Sequence, residues 1–303
     1  NNASATKIDL LPYKNNFQQT IFVAINGGDV SLVSSAIDML LGTGAYAGQG
    51  GLSPSPSAVT PWVIEVKAGQ FIEPGTTGGG GTIVIPDYVT VRGQGWNATE
   101  LQVGGINMAG TKRALESVFI NCTYSVSTVI SINGGNDCYV REVKIIASGP
   151  YPAIDMSNAS FCEVIGNHIL CLGPMASHGI KTNSMYISKI EDNLINLNHS
   201  AIATSVNGSY GICDNGSAMT KSYILKNTIS YVTTGIPGTA ASYGIGLSGV
   251  GTAQISYNVF IDGVLTKDII QNSTGNPPTW SAPGAGEHGV CNQYSDGTEA
   301  AGF

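Results

Sequence analysis

The sequence predicts an all-β chain wound as a parallel β-helix, a solenoid in which successive coils stack on one another. Three observations carry this expectation. First, a Val-x-x-Asn-x-Ile pattern recurs at Val164/Asn167/Ile169, Ile190/Asn193/Ile195, Ile224/Asn227/Ile229 and Ile255/Asn258/Phe260, with weaker copies at Val118/Asn121 and Val140/Val143/Ile145. A period of 22 to 34 residues with this internal constancy marks stacked supersecondary units. Second, a leading Ile (Ile130, Ile154, Ile180, Ile212, Ile245) precedes each element by ten residues, except that Ile212 precedes Ile224 by twelve. Third, the repeats are rich in β-branched residues, Gly and Asn, and none carries a long stripe of 3.6-residue period, so each is strands and turns.

Within a repeat, the Val and the following Ile are five residues apart and would face opposite ways along one flat strand. Both point inward only if the chain bends between them. Asn is expected at that bend, in the left-handed conformation that it tolerates, with five Asn at one phase stacked amide to amide. Domain boundaries follow from the pattern. Residues 1–60 form an N-terminal segment with a capping helix, 61–262 the β-helix, and 263–303 a loop-rich segment with a partial last coil. Val290 is expected to open that last coil in the phase of Ile245, and the open end has two candidate covers: the Gly/Pro-rich stretch 263–287 with Trp280 folded back, or the N-terminal segment of a neighbouring copy with its strand-like run at 20–24.

The entry segment and first coils resemble a known family. Residues 29–41 look like the helix that caps the first coil of right-handed parallel β-helix proteins. Residues 62–73 (Trp-Val-Ile-Glu-Val-Lys-Ala-Gly-Gln-Phe-Ile-Glu) and 85–95 are similar to first coils of the pectin-lyase-like superfamily, in its pectinesterase-like and viral β-helix fibre types. The resemblance spans roughly residues 28–262 and implies a right-handed helix; it speaks to fold far more than to function.

The catalytic elements of that superfamily are matched poorly. Residues 69–73 resemble the early Gly-x-Tyr-x-Glu element of pectin methylesterases, with Phe71 in place of Tyr, but the later Gln-Asp and Asp-Phe-x-Phe-Gly elements are absent. Residues 135–138 (Gly-Asn-Asp-Cys) and 177–179 (Ser-His-Gly) are faint echoes of polygalacturonase-type elements, and 210–214 (Tyr-Gly-Ile-Cys-Asp) of an alginate epimerase element. Asp155 and Lys181 each follow a leading Ile and should be outward neighbours on adjacent coils. They are the only catalytic candidates, as an acid/base pair; a surface ion pair is the plainer reading.

Length variation concentrates between the second Ile of one repeat and the leading Ile of the next, so the extra residues are expected as loops at one corner, a usual binding face. Two residues before each leading Ile stand Pro152, His178, Tyr210, Tyr243 and, in the last copy, His288. The four rings are the binding candidates, as a stacked column offering apolar faces and polar edges to sugars or a partner; a ladder that only steadies the turn is the alternative.

The net charge of −7 makes nucleic acid an unexpected partner, and no stretch is long and apolar enough to span a membrane. No cofactor and no metal site is expected. Six Cys without a Cys-x-x-Cys fit an oxidising compartment; Cys138 and Cys162 align without a gap on adjacent coils and are expected to be disulfide-bonded, while Cys213 and Cys291 share a phase without a firm pairing. Eight sequons, at Asn2, Asn97, Asn121, Asn158, Asn198, Asn207, Asn215 and Asn272, together with a start at Asn1, point to a mature, secreted glycoprotein at a cell or virion surface. Two functions remain open. One is an extracellular structural or adhesive β-helix (a filament, surface fibre or viral spike) that associates with itself and presents a glycan- or partner-binding face. The other is a polysaccharide lyase or hydrolase with a non-standard site.

Overall fold

A computed structural model describes residues 19–74, 81–122, 127–172, 178–199, 209–214, 219–233, 242–247, 252–261, 267–271, 289–290 and 293–294. The chain is a parallel β-helix built from three sheets of ten, nine and eight parallel strands. The first sheet runs from Gln19–Val23 to Gly289–Val290, the second from Gly69–Ile72 to Gln293–Tyr294, and the third from Thr82–Val84 to Lys267–Gln271. A coil visits them in that order.

The repeat maps directly onto this arrangement. The leading Ile form one in-register row of the third sheet, Ile130–Ile154–Ile180–Ile212–Ile245. The Val/Ile that opens each element lies in the first sheet, Val140–Val164–Ile190–Ile224–Ile255. The closing residue lies in the second, Ile145–Ile169–Ile195–Ile229–Phe260. All fifteen are buried in one continuous core. Stacking like on like lets each branched side chain rest on its equivalent one coil away, the packing that a pleated, half-buried surface favours.

Two of the three corners are sharp, and both use one device. At the first-to-second corner the left-handed residue is Ser117, Glu142, Gly166, Asp192, Lys226 or Tyr257, each just before the Asn position. This corrects the expectation that Asn itself takes the left-handed conformation. Asn instead follows the bend and closes it. Asn193 Oδ1 accepts the backbone N–H of Asn167 at 3.0 Å, Asn227 Oδ1 that of Asn193 at 3.1 Å, and Asn258 Oδ1 that of Asn227 at 2.9 Å. The rung has four Asn, not five. Val118 holds the ladder position in its coil, while Asn121 faces outward and donates to Glu100 at 2.9 Å.

At the third-to-first corner the left-handed residues are Lys112, Asp137, Phe161, Ile187 and Lys221. The residues that follow repeat the Asn logic with Cys and Ser. Cys162 Sγ lies 3.4 Å from the Cys138 backbone nitrogen as acceptor, Ser188 Oγ accepts from Cys162 N–H at 3.0 Å, and Ser222 Oγ from Ser188 N–H at 3.3 Å. Each side chain then donates to the carbonyl two residues back, Cys162 to Ser160 at 3.2 Å as Ser188 does to Tyr186 at 2.9 Å. The structure shows no disulfide between Cys138 and Cys162, where one was expected. The two are stacked neighbours, both free, and each sulfur takes part in this hydroxyl-and-thiol ladder.

The ends also differ from expectation. The run at 20–24 is not a free strand: Gln19–Val23 opens the first sheet, with Ile21 opposite Ile64 and fully buried. The helix Val33–Leu41 covers this end and buries Val33, Ala36, Ile37 and Leu40. Its N-terminal N–H groups are met by Glu73, whose carboxylate accepts from Val33 at 2.7 Å and Ser34 at 3.2 Å. At the other end the coils run past residue 262. Lys267–Gln271 continues the third sheet, so the residue opposite Ile245 is Ile269, and Val290 belongs to the first sheet opposite Ser256. Val290 is thus out of phase with Ile245, and the phase proposed for Cys213 and Cys291 is lost; Cys291 lies outside the described residues.

Candidate functional site

The extra length enters at both corners that flank the third sheet. Residues 200–208 and 234–241 fall between second- and third-sheet strands, and 215–219 between third and first. The one-corner expectation is corrected to this extent: the Ile212-to-Ile224 interval carries its two additional residues on the far side of the third sheet. The outer face of that sheet is consequently the one bordered by the variable segments.

Two columns occupy it. The first is in register through Asn107, Ser131, Asp155, Lys181, Cys213 and Gly246. The second is the ring column, His178 opposite Tyr210 opposite Tyr243. Lys267 stands opposite Tyr243 where the sequence reading places His288, which lies outside the described residues. The His178 and Tyr210 rings meet edge to face, centroids 5.3 Å apart at 62°.

Glycines explain how rings and column come together. In the repeated ring-Gly-Ile unit, a Cβ on Gly179 would stand 2.5 Å from Ile195 Cγ2 and 2.6 Å from Gly211 O, and one on Gly211 would stand 2.5 Å from Ile229 Cγ2. The second sheet presses that closely on the third, so only Gly fits behind the His178 and Tyr210 rings. The Tyr210 ring in turn lies over Gly246, where a Cβ would come within 2.4 Å of Tyr210 Cε1. The ring column thereby covers the end of the Asp155–Lys181–Cys213 column, a link that sequence reading missed. Its only sequence signal is Gly246 in a column otherwise occupied by polar or thiol side chains.

The structure places Asp155 and Lys181 on adjacent strands as expected. The expected ion pair is not made among the described residues. Asp155 is nearly buried, and its Oδ1 accepts from Ser157 N–H at 2.9 Å and Ser157 O–H at 2.5 Å. The carboxylate is thus held locally, as Asp is in turns of this kind. Cys213 beside Lys181 is a poor nucleophile: burial, and then the Asp214 charge, push its thiol up to about 12 against the opposing pull of Lys181. Asp214 lies in register with the inward Thr182 and is itself buried. Asp155 and Asp214 are therefore two coils apart and on different rows. The buried Cys138 and Cys162 affect one another: the neighbouring Cys162 thiol eases loss of the Cys138 proton, and the pairing together with burial pushes Cys162 up. No group of three His, Cys, Asp or Glu that could hold a metal occurs among the described residues. Glu73, the acidic member of the pectin-methylesterase-like element, is buried beneath the capping helix, so here that element is structural.

Of the sequons, Asn97 and Asn158 are exposed. Asn121 and Asn198 are half-buried on the second sheet, and Asn2, Asn207, Asn215 and Asn272 lie outside the described residues.

No family model and no curated protein matches the chain. Solved structures do. A pectin methylesterase from carrot is similar with a TM-score of 0.57 at 11% identity, over 96% of this chain and 87% of that one. One from Aspergillus niger is similar at 0.53 and 12% identity, over 95% and 89%. A pectin methylesterase in complex with a hexasaccharide gives 0.55 at 10% identity, over 95% and 92%. At these identities the likeness establishes the fold.

Proposed function

We propose that the protein is an extracellular β-helix that binds polysaccharide through the outer face of its third sheet, in an adhesive or structural role. The observation that carries the reading is the joined pair of columns. His178 and Tyr210, their rings edge to face, stand in the column beside that of the polar Asp155 and Lys181, on the face bordered by the variable segments. Rings with adjacent hydrogen-bonding groups suit the apolar faces and hydroxyl rims of sugars. The exposed sequons Asn97 and Asn158 and the secreted character of such a role support an extracellular location. Self-association of copies along the solenoid axis belongs to this reading, because an end coil left uncovered would offer strand edges to a neighbour; light scattering that finds only monomer at micromolar concentration removes that part.

A second reading, a polysaccharide-active lyase or hydrolase, is favoured by one observation: a carboxylate and an ammonium side chain stand on adjacent strands at Asp155 and Lys181. One set of measurements separates the two. Calorimetric titration with pectin, polygalacturonate, alginate and neutral glucans should show saturable binding that His178→Ala or Tyr210→Ala weakens at least tenfold. The absence of saturable binding to any of them refutes the binding reading. Release of methanol, reducing ends or unsaturated ends above background, lost in Asp155→Asn or Lys181→Met, establishes the enzyme instead.

A further inference from the structure

The corner between the first and second sheets is a two-residue turn in every other described coil, but between Arg92 and Thr99 it is a six-residue loop, 93–98. The loop is firmly based. Gly93 N–H donates to Glu116 O at 2.9 Å, Gly95 N–H to Ser117 O at 2.9 Å, and Gln94 N–H to Thr99 Oγ1 at 3.0 Å, while Gln94 Oε1 accepts from Ala68 N–H at 3.1 Å. It is thus tied to the coils on both sides. At its tip the half-buried Trp96 meets the ring of His168 edge-on, centroids 6.2 Å apart at 71°. His168 stands three strands along the second sheet from the strand that follows the loop, roughly 14 Å at the usual strand spacing. The loop and its indole therefore reach across the coils of Phe119 and Lys144.

Beneath and beside Trp96 the outer face of the second sheet carries an in-register row, Glu100–Phe119–Lys144–His168. Lys144 Nζ lies 5.1 Å from the Phe119 ring centroid and has no carboxylate within 4.0 Å among the described residues. The neighbouring row supplies amides. Asn196 Nδ2 lies 3.0 Å from His168 Nε2, and Asn121 Nδ2 donates to Glu100. Asn121 Oδ1, out of contact with solvent, has no hydrogen-bond partner. Burial, and then Lys144, hold the His168 imidazole below its ordinary value, so near neutral pH the imidazole is uncharged and Lys144 is the cation of the strip.

We propose that this strip is a saccharide-binding site separate from the third-sheet face, and that it takes a sugar chain bearing an anionic group, carboxylate or sulfate. Trp96 and Phe119 offer ring surface to the C–H faces of the sugar. Lys144, without a carboxylate of its own, takes the anion. Asn196, half-buried on the neighbouring row, takes a hydroxyl. The loop is the unusual element because it is what brings an indole onto an otherwise open sheet face.

Calorimetry with carboxylated, sulfated and neutral oligosaccharides of equal length tests this on the full chain. The expected result is saturable binding of an acidic oligosaccharide that persists in a His178→Ala/Tyr210→Ala double variant, where Lys144→Gln and Trp96→Ala each weaken it at least tenfold and added salt weakens it. Whichever acid binds identifies the anionic group. Lys144→Gln alters a surface side chain, so its effect is read without loss of fold, and circular dichroism checks Trp96→Ala. No binding of either acid, equal binding of the neutral chain, or an affinity indifferent to Lys144→Gln overturns the proposal. Loss of the same binding in the third-sheet variants also overturns it, and assigns the binding to that face.

Discussion

Replacing Asn193 by Ala removes the middle of the Asn ladder, and the structure sets the scale of the loss. The Asn193 side chain is essentially fully buried. Its Oδ1 accepts from Asn167 N–H at 3.0 Å and from Asn167 Nδ2 at 2.9 Å, and its Nδ2 donates to Val164 O at 2.9 Å and Asn227 Oδ1 at 2.9 Å. With Ala, Asn227 Oδ1 still holds the Asn193 backbone N–H at 3.1 Å. Three groups are stranded: the Asn167 N–H, one Asn167 amide hydrogen and the Val164 carbonyl. At about 1–3 kcal/mol for each unsatisfied buried group, less what an entering water recovers, the expected cost is about 3–5 kcal/mol. Asn193→Asp is the sharper companion. It keeps both acceptor contacts but turns an oxygen toward Val164 O and Asn227 Oδ1. The folded state then favours the protonated acid, which can donate one of the lost bonds. Its folded pKa is raised, so the variant gains stability as pH falls, whereas Asn193→Ala follows the parent at every pH. Because a solenoid need not unfold in one step, hydrogen exchange read on the peptide spanning 164–169 is the better assay. A 3–5 kcal/mol loss there is a hundredfold or greater loss of protection at about 1.4 kcal/mol per tenfold. Protection within the range of exposed Asn97→Ala, or an Asn193→Asp variant whose exchange ignores pH, refutes the ladder as a source of stability.

Three further outcomes are expected. Glu73→Ala strips the buried carboxylate from Val33 and Ser34 at the start of the capping helix and should cost about 2–4 kcal/mol, with Glu73→Gln milder; an unchanged melting temperature in both rejects the cap. Cys138→Ser and Cys162→Ser should stay within about 1 kcal/mol of the parent because Ser188 and Ser222 already fill the same rung, whereas Cys162→Ala strands the Cys138 N–H and costs about 1–3 kcal/mol; alkylation of the denatured, unreduced chain should label both thiols, and a linked peptide contradicts this. Lys189 and then Lys226 hold Glu191 below the usual carboxylate range. A depressed folded pKa gives stability that is present above the unfolded value near 4.5 and lost as pH falls below it. Acid-side melting curves should therefore shift less in Glu191→Gln than in the parent, and identical shifts exclude the contribution.

The legible and illegible parts of this chain divide on physical grounds. Ile154, Val164 and Ile169 could be placed on three sheets because inward positions repeat at fixed offsets, and stacking like on like makes that repetition energetically useful. The same reasoning found the position of Asn but misjudged its task. A left-handed bend is made by whatever residue precedes the ladder, even Tyr257 or Lys226, because the ladder bonds hold the bend against its intrinsic cost. That generality hid the second ladder: Cys138, Cys162, Ser188 and Ser222 look unrelated as letters, yet each supplies one acceptor and one donor at the same place. The crosslink expectation rested on the two cysteines alone, without the serines that fill the same place on the next coils. The phase of the last coil failed for a different reason. Once long segments separate the strands, offset carries no information, and Ile269 rather than Val290 continues the row of Ile245. The site was visible in proportion to its dependence on register. His178, Tyr210, Asp155 and Lys181 were found because each holds a fixed offset from a leading Ile. Trp96 was missed because it reaches His168 through a loop, and a contact made across three coils leaves no period in the sequence. Departures from the repeat, the six-residue corner at 93–98 and the flanks of the third sheet, are therefore where side chains specific to this protein are to be sought, since positions inside the repeat are already committed to stacking.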